Sequence, residues 1–267
     1  MSYLRVIKRL PLILVLIFVS LSAKAQFTDS MTGFLNCPSA EMNESGTFMI
    51  TNNFLNQRLL NQEFWRYNTF AYGFSITFFS RLEIGYICTI FDGRKLPDTY
   101  DEYWRKMFNQ DRHFSAKLQL LREGEFGKSW VPAVAAGFAD PFTTILIGDE
   151  TFAVQDAGNG SFNRYYIVAT KHFQTSVGEF TGSLGYQYNV RRDPHYNAPC
   201  AAVTWRPVWL RNRWFDPKFV LEYDARTPNI GFIADIWDDR FEAMFCLQNF
   251  QWVSFGLRFK LRLKGSE

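Results

Sequence analysis

The sequence predicts an all-β protein, an antiparallel transmembrane β-barrel of about 12 strands (between about 10 and 14) behind a cleaved signal peptide. Three observations lead to this fold class. An export signal occupies the amino terminus, apolar side chains recur with a period of two along later segments, and aromatic residues are abundant although no second long apolar run follows the signal.

The first 25 residues have the three parts of a secretory signal peptide. Basic residues precede an apolar run over 10–22, which ends in the small-residue motif Ala23-Lys24-Ala25. The basic residues are Arg5, Lys8 and Arg9. The run is shorter than the roughly 20 residues of a spanning helix, so we expect cleavage after Ala25 rather than a retained anchor. The mature chain, 26–267, is then a single barrel domain.

Composition favours a barrel over a bundle of membrane helices. Aromatic residues make up 18% of the chain and include 28 Phe, yet the mean hydropathy is −0.17. Apolar residues must therefore be dispersed one at a time, as on the outer face of a barrel. The net charge of +3 is small and spread along the chain, which gives no case for nucleic-acid binding.

The alternation is clearest near the carboxyl terminus. Apolar residues at every second position from Val253 to Leu263 alternate with Ser254, Gly256, Arg258, Lys260 and Arg262. A period of two over this length suits a tilted strand with one face towards lipid and the other towards a polar lumen.

The same criterion predicts 12 strands, and an even number suits a barrel with both termini on the periplasmic side. The predicted strands are about 46–54, 68–79, 81–91, 112–122, 130–139, 162–173, 175–190, 200–206, 218–226, 229–237, 240–248 and 252–263. We expect tight periplasmic turns at Ser80, Gln174 and Asp238-Asp239. The long outer connections are expected at 55–67, 92–111, 140–161 and 191–199.

Charged residues opposite the apolar face form a candidate polar network in the lumen. They are Glu222, Asp224, Arg226, Asp235, Glu242, Arg258, Lys260 and Arg262. One interpretation is a polar conduit or a weak sugar-binding interior. The second, which we favour, is a salt-bridge network that fills a narrow barrel, because buried charges must be paired.

The cysteines give no metal or cofactor site. Cys37, Cys88, Cys200 and Cys246 are far apart, without a CxxC pair or a neighbouring His. Export permits disulfides. Because Cys88 and Cys246 fall inside predicted strands, we favour buried cysteines that act as small apolar residues, and the disulfide status of all four stays open.

No catalytic site is recognisable, and we expect a protein that is not an enzyme. A barrel hydrolase would need a nucleophile and a base on the barrel wall. His113 and Ser115 share one face of a predicted strand, but no companion carboxylate is identifiable, and His172 is expected at the periplasmic rim. A small passive channel is a further candidate function, and a soluble secreted β-sandwich is the second candidate fold.

Several phrases resemble the YjbH-like family of outer-membrane proteins associated with exopolysaccharide production. The first, TGFLNCPSA at 32–40, is followed shortly by Gly46-Thr47-Phe48. The others are RLEIG at 81–85, DRHFSAKLQLL at 111–121, PAVAAG at 132–137, YIVATKHF at 166–173 and LEYD at 221–224. They follow the family's order over most of the mature chain.

The resemblance implies a bacterial outer-membrane barrel that acts in the secretion or assembly of an extracellular polysaccharide. Its implied partners are outer-membrane lipid, exopolysaccharide and periplasmic export or assembly proteins. Two residues depart from the family pattern: Cys37 stands where an apolar residue is expected, and Ala225 where Gly is expected. The chain is also shorter than many family members.

Overall fold

Twelve antiparallel strands form a closed barrel in which β1 pairs with β12. The computed structural model describes residues 28–58, 68–91, 109–141, 162–189 and 197–263. Within these ranges, no helix is long and apolar enough to cross a membrane. The signal peptide and most of each predicted long outer connection lie outside the described residues.

The strands follow one another around the barrel in chain order. They are β1 Thr47–Leu55, β2 Thr69–Phe78, β3 Leu82–Phe91, β4 Asn109–Leu121, β5 Ala133–Ala139, β6 Arg164–Thr175, β7 Gly178–Tyr188, β8 Ala198–Pro207, β9 Phe215–Tyr223, β10 Pro228–Ile236, β11 Phe241–Gln248 and β12 Trp252–Arg262. Each coincides with one predicted strand, so the all-β barrel and its strand count are confirmed.

The two faces of each strand differ as the period of two predicts. On β2, Thr69, Ser75 and Thr77 are buried in the lumen, whereas Phe70 and Phe74 are 44% and 43% exposed on the outer wall. On the outer wall, aromatic rings from neighbouring strands touch, as in the contacts of Phe54 with Phe70 and with Phe255. Such cross-strand pairs stabilise the sheet and fix its register.

The barrel has two mouths, and the chain enters and leaves through the same one. We call the mouth where Thr47 begins β1 and Arg262 ends β12 the terminal mouth, and the opposite one the far mouth. The turns at 79–81, 176–177 and 237–240 lie at the terminal mouth. The predicted turns at Ser80 and Asp238-Asp239 are therefore in place.

The predicted turn at Gln174 is wrong by two residues. Gln174 lies inside β6, and the hairpin turns at Ser176 and Val177. Gly178 has a φ of +144°, a conformation that favours glycine, and the Thr175 hydroxyl donates a hydrogen bond to its carbonyl (2.6 Å). The turn therefore forms beside Gly178, and β6 extends to Thr175.

The predicted strand that ends at Arg226 stops earlier. β9 ends at Tyr223, because the Asp224 carboxylate accepts hydrogen bonds from the backbone N–H groups of Arg226 (3.0 Å) and Thr227 (2.9 Å). Asp side chains commonly close turns in this way. Ala225, between them, has a φ of +72°.

Candidate functional site

The lumen is filled by the chain's own segment before β1. Residues 28–40 are all buried, and 41–43 are partly exposed at the terminal mouth. We call residues 28–43 the plug. Its centre is a hairpin in which Gly33 pairs with Pro38 and the Phe34 N–H donates to the Cys37 carbonyl (2.9 Å).

The hairpin tip has an apolar contact surface with the barrel wall. Phe34, Leu35 and Cys37 belong to a buried cluster with residues from several strands. The wall residues of this cluster include Ile87, Val220, Ile233, Met244 and Cys246. Burying this surface provides the non-directional part of the plug's stability.

A buried ion pair holds the plug near the terminal mouth. Lys117 Nζ lies 3.5 Å from Glu83 Oε2, and both side chains are fully buried. Lys117 Nζ also donates to the carbonyls of Thr32 (2.7 Å) and Glu41 (2.7 Å). Glu83 accepts from the Thr32 N–H (3.1 Å) and hydroxyl (2.6 Å). The pair therefore binds both arms of the hairpin.

A second pair holds the plug nearer the far mouth. Arg164, the first residue of β6, forms a buried salt bridge with Asp29 of the plug. Its Nη1 also donates to the carbonyl of Asn36 (3.0 Å) and to Gln187 Oε1 (3.2 Å). One guanidinium thus joins the first part of the plug to the hairpin tip.

Backbone groups of the plug account for two of the predicted network residues. Glu222 accepts hydrogen bonds from the N–H groups of Asn36 (2.7 Å) and Cys37 (3.1 Å). Arg258 donates to the carbonyl of Met31 and forms an ion pair with Glu242 (3.4 Å). Charged groups that bind backbone amides and carbonyls satisfy polar groups that burial would otherwise leave unpaired.

The structure divides the predicted network into two groups and places two members at the edges. Glu222 and Asp224 share the amide of Asn229, and Glu242 contacts Arg258 and Lys260.

Arg226 follows β9 at the far mouth, beside Asp224 at 3.9 Å. Arg262 is 59% exposed at the terminal mouth and pairs with Glu44 (3.4 Å) and Asp239 (3.6 Å). Asp235 lies beside the second group and lines the cavity at that mouth.

A cavity of about 680 Å³ at the terminal mouth lies between the exit of the plug and the barrel rim. Charged side chains of both signs line it, including Glu41, His172, Arg206, Asp216 and Lys260. His172 bridges the plug to the rim through Glu41 (3.0 Å) and Glu123 (2.5 Å). This places His172 at the terminal mouth, close to the turn that follows β6.

Glu123 lies in the connection between β4 and β5, and the pKa of its carboxyl is lowered. Partial burial would raise the pKa of its carboxyl, but hydrogen bonds from Lys171, the His172 ring and the His172 backbone N–H together lower that pKa below its usual value of 4.5. The carboxylate is therefore stabilised in its charged form.

Three carboxylates in the cavity lie close enough to resemble a cation site. Asp235, Asp239 and Glu242 each offer an oxygen, and these atoms lie within 4.8 Å of one another. The Lys260 ammonium contacts Glu242 and also lies 2.8 Å from Asp239 Oδ1. The chain's own cation thus neutralises part of this charge.

The two residues that a hydrolase would use lie beneath the plug. His113 Nε2 is 3.2 Å from the carbonyl oxygen of Thr28, and its ring stacks on Phe162 with centroids 4.9 Å apart. His113 and Ser115 are both buried.

The plug is the functional element that the sequence analysis missed. The phrase TGFLNCPSA at 32–40 carries the family resemblance. Its apolar residues follow neither the period of a strand nor that of a helix, so the pattern does not predict where the segment lies in the fold. One available signal is the set of glycines on lumen faces. A Cβ at Gly73 would meet the Tyr86 carbonyl oxygen of β3 and Ser30 Oγ (2.9 Å), and one at Gly231 would meet the Phe245 carbonyl oxygen of β11 and Leu35 Cδ1 (3.0 Å). Glycine there leaves room for both the neighbouring strand and the plug.

Comparison with known proteins gives a family for this arrangement. Residues 28–203 match the model of the YjbH family, described as "Exopolysaccharide biosynthesis protein YbjH". No curated protein matches the chain. The matched range begins at the first residue of the plug and runs into β8, so it includes the plug and most of the wall that holds it. Since the match covers more than half of the chain, the protein belongs to the YjbH family.

Proposed function

We propose that this protein is a non-enzymatic outer-membrane barrel that assists the export, assembly or surface retention of an exopolysaccharide. The observation that carries the proposal is a closed barrel with an apolar outer wall and a lumen filled by its own chain, in a family named for exopolysaccharide biosynthesis.

The outer wall supports a membrane location. Large apolar side chains of strands on all sides of the barrel are exposed. Among them are Ile50 (46%), Phe114 (53%), Ile167 (53%), Leu184 (65%) and Val203 (55%). Soluble monomers rarely expose an apolar surface this extensive, whereas a bilayer would cover it. The signal-like amino terminus supports export.

The plug favours assistance over passive conduction. Its backbone is hydrogen-bonded to buried charges on both halves of the wall, so opening the lumen would expose or unpair Glu83, Lys117 and Arg164. A polymer that passes the membrane through this barrel would have to displace that segment first. The cavity at the terminal mouth offers charged and amide groups to sugar hydroxyls or to a periplasmic partner.

The proposal is tested by deleting the gene and measuring secreted and cell-bound exopolysaccharide. We expect altered yield or localisation, restored by a plasmid copy, while uptake of small hydrophilic antibiotics stays unchanged. Unaltered polysaccharide would contradict the assisting role. Increased antibiotic resistance upon deletion, with unaltered polysaccharide, would favour the passive channel.

A further inference from the structure

Two of the four cysteines meet where the plug contacts the barrel wall. Cys37 lies at the hairpin of the plug, and Cys200 lies on the lumen face of β8. Both residues are 1% exposed and belong to the same buried apolar cluster, and Cys37 Sγ lies 3.5 Å from the carbonyl oxygen of Ala201, the residue next to Cys200.

Independent contacts fix the position of Cys37 against this part of the wall. Its Sγ donates to the carbonyls of Tyr223 (3.0 Å) and Ala201 (3.5 Å). Ala201 follows Cys200 in β8 and is the register partner of Tyr223 in β9. Glu222 accepts the Cys37 N–H (3.1 Å), so backbone and side chain of Cys37 are both held beside β8 and β9.

The remaining cysteines occupy different positions. Cys246 lies in β11, in the same apolar cluster as Cys37 and Cys200. Cys88 lies in β3 between Ile87 and Thr89, whose side chains are buried in the lumen, so Cys88 is on the opposite face of the strand. This makes Cys246 the competing partner for Cys37 and Cys88 a control.

We propose that Cys37 and Cys200 form a disulfide that tethers the plug to the barrel wall. The oxidant is a disulfide-bearing compound, either an oxidised dithiol protein of the export compartment or oxidised glutathione. The thiolate of one cysteine attacks the oxidant and expels one thiolate. The second cysteine then attacks the mixed disulfide and expels the other. Two thiols lose two protons and two electrons, and the oxidant is reduced to two thiols.

The tether has a clear consequence for the lumen. A plug held only by non-covalent contacts can leave the lumen as an extended segment, whereas a plug covalently bonded to β8 cannot. Once the plug is seated, burial of both sulfurs also protects the bond, because exchange requires access of an attacking thiolate. The cell's supply of oxidant depends on the proposed export, but the pairing itself depends only on the fold.

The test is thiol mapping of the full-length protein. Protein extracted from cell membranes is acid-quenched, denatured, alkylated with N-ethylmaleimide and digested without reductant. We expect one cross-linked peptide pair that contains Cys37 and Cys200, with Cys88 and Cys246 alkylated. A second sample, reduced in urea and refolded into detergent with a glutathione buffer, should give the same pair in its heat-modifiable fraction.

The two samples separate the disulfide from the export proposal. A Cys37–Cys200 link in the refolded sample alone would support the disulfide and count against export. Four alkylated cysteines in the refolded barrel, or a Cys37–Cys246 link, would overturn the inference. In the variants, Cys88→Ser should leave the cross-link unchanged, whereas Cys200→Ser should abolish it and leave Cys37 alkylated.

Discussion

At the scale of single residues, the buried charged side chains of the lumen bind the backbone of the plug as well as one another. The sequence analysis favours a salt-bridge network in the lumen, and Glu242 does form ion pairs with Arg258 and Lys260. That interpretation does not describe Glu222, whose carboxylate binds backbone N–H groups of the plug. An acidic side chain used in this way fixes the position of the plug rather than neutralising a cation.

Replacing Lys117 by Met should loosen the plug. The change leaves Glu83 buried without its cation and removes donors to the carbonyls of Thr32 and Glu41. Breaking a buried pair by removing one partner costs about 3–5 kcal/mol. We expect a lower urea midpoint and faster proteolysis of the segment 28–43 in detergent.

The matched control for Lys117 is Arg81→Met. Arg81 pairs with Glu125 at 2.8 Å, but both side chains are partly exposed. Exposed pairs contribute about 0–1 kcal/mol, so this variant should unfold close to wild type. Equal effects of the two substitutions would contradict the anchoring role assigned to Lys117.

The turn after β9 contains a residue in an unfavourable conformation. Ala225 has a φ of +72°, which explains why the family resemblance leads one to expect glycine there. Ala225→Gly should stabilise the barrel by about 1 kcal/mol in urea unfolding. The same change at Ala201, inside β8, should instead destabilise it by about 0.5–1 kcal/mol. A destabilising Ala225→Gly would show that the buried methyl group of Ala225 contributes more than relief of its positive φ.

Glu123 should contribute stability that depends on pH. Its folded pKa is lowered by Lys171 and His172, the latter also bound to Glu41, despite the opposing effect of partial burial. For a lowered pKa, the contribution is present above the unfolded value and is lost as pH falls through the folded value. The urea midpoints of wild type and Glu123→Gln should therefore differ at about pH 7, and the difference should shrink as the pH falls below the usual Glu pKa of 4.5. A gap that widens in acid would contradict this sign.

At the scale of elements, the strands can be predicted because each has a local cause. Lipid-side and lumen-side residues alternate within one strand, so 12 segments are readable without tertiary information. Strand ends are predicted less accurately. β9 stops where the Asp224 side chain closes a turn, and β6 runs on to the turn beside Gly178.

The plug cannot be predicted in the same way. Its residues contact partners distant in sequence, such as Thr32 with Glu83 and Asn36 with Glu222. Only the closed barrel brings these partners together. Strand alternation alone selects the eight network residues, and it assigns a face but not a height along the barrel. Arg262 accordingly lies at the terminal mouth, where it is exposed.

Glycine on the lumen face should be required where the plug passes. A Cβ at Gly85 would lie 3.3 Å from the Asp29 carbonyl oxygen and 3.5 Å from Met31 Cγ. Gly85→Leu should therefore displace the plug while the barrel still forms. We expect this variant to remain heat-modifiable, because the barrel is intact, and its segment 28–43 to be cleaved by protease. Gly182, with only Phe173 within reach at 3.8 Å, gives the control Gly182→Leu, which should protect the plug as wild type does.

At the scale of the whole molecule, the closed wall and the apolar exterior are compatible with the outer-membrane location that we propose. The exterior would be covered by lipid, and the backbone polar groups of the strands are paired around a barrel without open edges. The plug occupies the lumen of this barrel, and a charged cavity lies at the terminal mouth.

The most direct test of this account is heat-modifiability in fractionated cells. Outer-membrane and soluble fractions are run on a denaturing gel with and without boiling and probed for the protein. The account predicts a band in the outer-membrane fraction that migrates differently once boiling unfolds the barrel. A band in the soluble fraction that does not shift would contradict the membrane barrel and the function proposed for it.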